Sequence, residues 1–306
     1  MKLSVVIPLL NEEENVDELN ERLNNSLAYV SDKFEIIYVD DGSQDATHSE
    51  LEKIAEENSK VKYLILSRNF GHQVAVVAGL DYTEGDCTII LDGDLQHPPE
   101  LIPKLFAEYQ KGYKVVYGKK RSREGDSIFK KWTASLFYRL MTRITSINIP
   151  MDVGDFRLID RQVVEQLRQM PERNLFLRGQ IAWLGFEQRE VLFDQEKRKG
   201  GKSGYSVHKM IALALDGITS FSTFPLKLVS AFGFTVSFIA FLIILYALFA
   251  KFILERVITG WTSLIISTMF IGGIQLLALG VIGEYISRIN DNLRKRPLYI
   301  VEKRKV

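Results

Sequence analysis

The chain reads as an α/β domain built on a mostly parallel sheet, followed by two C-terminal transmembrane helices. Three observations predict this. Short β-branched runs alternate with helical spacing over the first part of the 306 residues, and such alternation gives a parallel sheet with helices on both faces. Polar clusters close each predicted strand, at the sheet edge where ligands bind in open α/β folds. Leu228 to Ala250 and Trp261 to Gly283 contain no Asp, Glu, Lys or Arg, and each exceeds the roughly 20 apolar residues needed to cross a bilayer. A mean hydropathy of 0.00 therefore averages two unlike parts.

Leu3 to Leu10 is the first strand, interrupted by Pro8 and ended by Asn11. Glu12 to Ala28 carries helical spacing through Val16, Leu19, Leu23 and Leu27. Phe34 to Val39 is the second strand, closed by Asp40-Asp41-Gly42-Ser43, and Thr47 to Glu57 is helical. Val61 to Leu66 and Cys87 to Leu91 complete four strands, with a helix over Gln73 to Leu80 between them. Ser127 to Thr145 sets Ile128, Trp132, Leu136, Leu140 and Ile144 at spacing four among basic residues, which predicts an amphipathic interfacial helix. Tyr205 to Phe221 is a second one. The expected division is a cytoplasmic domain over 1–225, a transmembrane hairpin over 226–286 and a basic cytoplasmic tail over 287–306.

After the second span come Arg288, Arg294, Lys295, Arg296, Lys303, Arg304 and Lys305, an excess that the positive-inside rule places in the cytoplasm. Two crossings return the chain to its starting side, so the inner (cytoplasmic) membrane with both termini inside is the expected location. The start, Met1 to Pro8, is too short an apolar run for a signal peptide. A formal charge of +1 argues against a nucleic-acid partner. The single Cys87 leaves no internal disulfide. Gly272, Gly273, Gly280 and Gly283 allow close helix packing, within the hairpin or in a homo-oligomer.

The chemistry concentrates in Asp92-Gly93-Asp94-Leu95-Gln96-His97-Pro98-Pro99-Glu100. Residues two apart on a strand point the same way, so Asp92 and Asp94 can converge on a hard cation, while Gly93 admits a ligand close to the backbone. His97 beside Pro98 reads as a turn residue. No Gly-x-Gly-x-x-Gly or Gly-Lys-Ser/Thr loop follows the first strand, which disfavours dinucleotide and P-loop chemistry. Glu196 to Tyr205 is basic and glycine-rich, a loop able to wrap an anion.

With Val5-Val6-Ile7-Pro8, Asn11-Glu12-Glu13-Glu14-Asn15, Val39-Asp40-Asp41-Gly42-Ser43, the Asp92 run and Gly154-Asp155-Phe156-Arg157-Leu158 in that order, the chain resembles an inverting GT-A glycosyltransferase. The closer resemblance is to the polyprenyl-phosphate branch, the dolichyl-phosphate mannose synthases and bactoprenol glucosyltransferases, and it covers nearly the whole chain. It implies that Pro8, Leu10, Glu12, Val39, Asp40 and Asp41 hold the nucleotide. Leu10 replaces the Tyr common in the mannose synthases. Asp92, Asp94 and Gln96, with Gly93, match the metal and diphosphate site, an all-oxygen set suited to Mg²⁺ or Mn²⁺. Arg121, Arg198 and Lys202 match basic positions around the phosphates. Asp155 matches the acid usually cast as the base, and Asp94 shares the catalytic role.

The resemblance implies transfer of a hexose, glucose from UDP-glucose being favoured, to polyprenyl (undecaprenyl) phosphate. GDP-mannose or a modified pentose on UDP remain open as donors. Because a phosphomonoester with a second pKa of about 6 is mostly ionised at neutral pH, Asp155 is expected to orient the acceptor or an arginine such as Arg157 as much as to take a proton. A membrane-anchored nucleotide-sugar sensor or scaffold is the reading of another class. It would need an impaired metal site, and Asp92, Asp94 and Asp155 are all present.

Overall fold

The computed structural model describes residues 1–121, 153–170, 172–173, 175–194, 222–252 and 260–306. The two amphipathic helices expected near 127–145 and 205–221, and the basic positions Arg198 and Lys202, lie outside the described residues.

The first strand, β1 (Leu3–Leu9), and the second, β2 (Phe34–Asp40), are buried along their whole lengths. Strands buried on both faces read as unbroken apolar runs, and this pair lies at the centre of the sheet. Helix α1 (Val16–Ala28) connects them, and α2 (Thr47–Glu57) leads to β3 (Val61–Leu66). Helix α3 (His72–Asp81) leads to β4 (Cys87–Ile90), and α4 (Ile102–Gln110) to β5 (Val115–Lys120). Then come β6 (Val153–Asp160), α5 (Arg161–Gln169), α6 (Leu177–Trp183) and β7 (Gln188–Phe193). The alternation of strand and helix expected through β4 is thus present, with ends shifted by a few residues; the first helix starts four residues later than its spacing suggested, because Asn11 to Asn15 forms turns.

The strands form one sheet in the order β7-β5-β6-β4-β1-β2-β3-β8. β1 to β4 pair in parallel, whereas β6 runs antiparallel to both β4 and β5. Leu3, Val5, Ile7 and Leu9 pack with α1, α2 and α4 on one face; Val6 packs with α3, α5 and α6 on the other. Pro8 is tolerated in this central strand for a local reason. The β1–β4 pairing ends at Val6–Ile90, so the side on which Pro8 lacks an N–H has lost its neighbour.

The eighth strand, β8 (Val301–Lys305), corrects the expected tail. It adds antiparallel to β3, and the Ser67 amide donates to the Ile300 carbonyl at 3.0 Å. Tyr299 Oη donates to Asp81 at 2.8 Å, and Arg304 donates to Tyr82 Oη at 2.8 Å. Of the basic residues expected in the tail, Lys303, Arg304 and Lys305 lie on this edge strand and reach back to Glu52, Tyr82 and Ala55, and Lys and Arg on an edge discourage further pairing. Residues from Arg296 onward group with the sheet domain.

The second unit holds α7 (Phe224–Phe252) and α8 (Trp261–Leu293). Both contain stretches long and apolar enough to cross a membrane, Phe224–Ile243 and Ser267–Leu293, and neither stretch is buried within the protein. Tyr285 Oη on α8 donates to the Ser222 carbonyl just before α7, at 2.7 Å.

Candidate active site

The parallel register of β1 to β4 brings four polar clusters to one edge of the sheet: Asn11 and Glu12 beyond β1, Asp40 and Asp41 at the end of β2, Arg68 and Asn69 beyond β3, and Asp92 to Gln96 beyond β4. The antiparallel strand β6 completes this edge. Its last pair with β4 joins Ile90 to Arg157, and two residues further lie Asp92 on one chain and Asp155 on the other. Sheet register alone therefore faces the two acids toward each other.

His72, the first residue of α3, sits between them. Its Nε2 is 3.4 Å from Asp92 Oδ1 and 3.3 Å from Asp155 Oδ2. One ligand atom from each of His72, Asp92 and Asp155 lies within 4.8 Å of the others, an arrangement that can hold a metal ion. Asp92 Oδ1 is buried and accepts no hydrogen bond. Leaving such an oxygen unsatisfied costs about 1–3 kcal/mol, a cost that a divalent cation would remove. Asp92 thus fits a hard cation.

Asp155 is also gripped from its other side. Arg178 on α6 donates Nε to Oδ1 at 2.8 Å and an η nitrogen to Oδ2 at 3.3 Å, and an Arg157 η nitrogen stands 3.6 Å from Oδ1. Burial would raise the Asp155 carboxyl, but the Arg178 guanidinium, the His72 imidazole and Arg157 outweigh it and hold this acid well below the usual aspartate range. For His72, burial lowers the pKa, and the two carboxylates more than reverse that. Arg157 is buried, its guanidinium pushed down to about 10 by desolvation.

The turn after β4 is strained. Leu95 is buried with φ +57°, a conformation rare for a branched side chain, and Asp94 Oδ1 accepts the Gln96 amide across it at 3.1 Å. Gly93 lies close to the Leu9 side chain, whose end would have to shift to admit a Cβ there. His97 lies under Asp92, with ring centroids 5.4 Å from Phe156 and 5.7 Å from Phe193, and its burial lowers its pKa. Its Nδ1 is 3.3 Å from Asp92 Oδ2 without hydrogen-bond geometry.

The remaining expected residues fall as follows. Pro8 and Val39 are register partners, both buried, and Leu10 is exposed at the edge. The Glu12 carboxylate accepts from Asn15, and the Asp40 carboxylate accepts the Ser43 amide at 2.8 Å, fixing its own turn. Asp41 spends both oxygens on the chain before α3, accepting the Phe70 amide at 2.7 Å and the Gly71 amide at 2.9 Å. Burial raises its carboxyl while those amides oppose the shift. Arg121, beyond β5, is exposed and faces Asp194 at 3.4 Å.

Two residues of the cluster were not anticipated. His72 lies close behind the Arg68-Asn69 cluster, a signal that was present in the sequence. Arg178 is the lone charge in the stretch Leu175 to Leu184, which was the available hint.

The profile of the family described as Glycosyl transferase family 2 matches residues 4–168. An uncharacterized glycosyltransferase of Bacillus subtilis, YkcC, is 43% identical over 303 residues, 99% of this chain and 94% of that one. The bactoprenol glucosyl transferase of Shigella phage SfX is 39% identical over 305 residues, the full length of both chains, and the prophage homolog of Escherichia coli K12 is 40% identical over 303 residues, 99% of each. Among solved structures, TarS 1-349 of S. aureus in complex with UDP-GlcNAc overlaps 72% of this chain and 66% of its own with TM-score 0.48 and 20% identity. With a profile matched across more than half of it and relatives near 40% identity along its full length, the chain is a glycosyltransferase and belongs to glycosyl transferase family 2.

Proposed function

We propose that the chain is a membrane-bound inverting transferase that moves one glucose from UDP-glucose to polyprenyl (undecaprenyl) phosphate. The observation that carries this reading is the juxtaposition of Asp92, His72 and Asp155 at the sheet edge of a chain that also has two helices fit to span a bilayer. Full-length similarity to proteins named bactoprenol glucosyl transferase supports the lipid acceptor. An acceptor phosphate held at headgroup level by a long isoprenoid suits a site tethered to the membrane.

Asp92, Asp94 and Gln96 would hold Mg²⁺ or Mn²⁺, which supplies Lewis-acid stabilisation of the leaving diphosphate. Pro8, Leu10, Glu12, Val39 and Asp40 would line the nucleotide side. Arg121, Arg198 and Lys202 would face the phosphates. Asp155 would face the acceptor. A phosphate acceptor is already an oxyanion near neutral pH, and Asp155 is paired with Arg178 at 2.8 Å. Its role is therefore to orient Arg178 and Arg157 toward that phosphate, with proton removal unnecessary.

The pairing of β8 with β3 supports a common side for the two ends of the chain. Combined with the basic residues after the second span, it favours a cytoplasmic site on the inner membrane.

The test is transfer of radiolabelled sugar by detergent-purified protein to undecaprenyl phosphate, from UDP-glucose and separately from GDP-mannose. Label in the lipid phase from UDP-glucose alone is the expected result. Label from GDP-mannose alone would reassign the donor, and none from either, with nucleotide still bound, would favour a sensor.

A further inference from the structure

Among the side chains at the sheet edge, His72 has the least obvious task and the most central place. We propose that His72 is a positioning residue that donates its Nε2–H to Asp155 while facing Asp92, fixing the gap across which acceptor and leaving diphosphate are set. The inference rests on the transferase reading above and assigns to that site a residue outside the predicted set.

Three observations carry it. The ring nitrogen is nearly equidistant from the two carboxylates, 3.4 Å from Asp92 Oδ1 and 3.3 Å from Asp155 Oδ2. Asp155 lies on β6 and Asp92 just beyond β4, so the two acids reach the ring from different parts of the sheet edge. The backbone that carries His72 is fixed from outside the cluster. The Asp41 side chain, buried beneath the loop, accepts the Phe70 and Gly71 amides with separate oxygens, and Gly71 takes φ +106°, a value that glycine adopts without strain. Asp41 thus acts on His72 through the start of α3, as outer partners orient groups that touch a metal or substrate.

A donor role fits the surroundings better than direct metal ligation. Asp155 already faces Arg178 at 2.8 Å and Arg157 at 3.6 Å. A divalent cation against the same carboxylate would stand among guanidinium charges, whose repulsion in a buried site is large. An N–H directed at Asp155 meets no such opposition and leaves Asp92 Oδ1 open to a cation. The neutral Nε2–H tautomer and the imidazolium both donate from this nitrogen, so the role does not depend on the charge state of the ring.

The experiment compares wild-type protein, His72→Ala and His72→Gln in detergent. It measures kcat and KM for UDP-glucose with undecaprenyl phosphate, thermal melting, and Mn²⁺ affinity by electron paramagnetic resonance in the presence of UDP. The expected result for His72→Ala is a kcat lower by about 10–100-fold, with donor KM, Mn²⁺ affinity and melting temperature close to wild type. His72→Gln, which keeps an N–H donor, should recover most of the lost rate. A His72→Ala enzyme as fast as wild type, or a Gln variant no better than Ala, would overturn the proposal. So would loss of Mn²⁺ affinity in both variants, which would make His72 a ligand. A wild-type protein inert with every donor would instead overturn the transferase reading itself.

Discussion

Asp92 and Asp155 face each other across the β4–β6 ladder, two residues beyond its last pair, with His72 Nε2 within 3.4 Å of both. The antiparallel course of β6 creates this relationship. A parallel strand at that place would carry its first residues to the opposite edge of the sheet, and Asp155 would be lost from the edge that holds Asp92. The fold thus separates two negative groups by a fixed gap and surrounds the second with arginine.

Asp155 is predicted to be a positioning group. Its carboxyl is held well below the usual aspartate range by Arg178, His72 and Arg157, against the effect of burial, so it is ionised throughout the working range and contributes no ionisation step near neutral pH. Asp155→Asn should lower kcat by a factor that is constant across pH. A rate profile in which the wild type has a limb rising with pH that the variant lacks would assign proton removal to Asp155.

Arg178 is predicted to matter as much as the residues of the Asp92 run. It donates to both oxygens of Asp155, and no lysine reproduces that planar fork. Arg178→Lys should cost about 10–100-fold in rate and raise the KM for the lipid acceptor more than for the donor. The steady-state constants for each substrate check this.

The opposite edge of the sheet carries a separate ionic cluster that should govern acid stability. Buried Glu35 pairs with Lys2 at 2.9 Å and Lys62 at 3.1 Å. Burial raises its carboxyl, but the Ser4 hydroxyl, Lys2, the Glu84 amide and Lys62 bring the net value below the usual glutamate range. A depressed carboxyl contributes stability that is complete above the unfolded pKa of about 4.3 and lost as pH falls through the folded value. Glu35→Gln should lower stability by about 2 kcal/mol near neutral pH, and the gap should close on acidification. Melting curves of both proteins across acid pH measure it.

Strand β8 is predicted to be structural. Deleting Val301 to Val306 removes the β3 partner and the Arg304–Tyr82 hydrogen bond, leaving a long apolar edge exposed. The melting temperature should fall by about 5 °C or more, with aggregation in detergent. An unchanged melting curve would return these residues to the status of a tail.

Much of this was legible in the sequence, for identifiable reasons. Apolar runs closed by Asp40-Asp41 and Asp92 marked strand ends, because buried parallel strands need unbroken apolar residues and a polar stop. The spans were legible because a bilayer sets their length. The site was legible in Asp92 and Asp155, which lie in motifs. It was not legible in His72 and Arg178, whose places depend on how α3 and α6 pack on the sheet. Asp41 has a structural task that its motif did not reveal: its two oxygens accept the backbone amides that lead into α3. β8 was hidden because an edge strand rich in Lys and Arg has the composition of a solvated tail.

The most direct test of the central claim is mass analysis of the lipid product. Purified protein, UDP-glucose, undecaprenyl phosphate and Mg²⁺ or Mn²⁺ should give one new lipid, heavier than the acceptor phosphate by a single hexose, with an inverted anomeric centre. Its formation should cease with EDTA and in Asp92→Asn. Free glucose without a lipid conjugate, or a conjugate formed equally well with EDTA and in Asp92→Asn, would contradict the account.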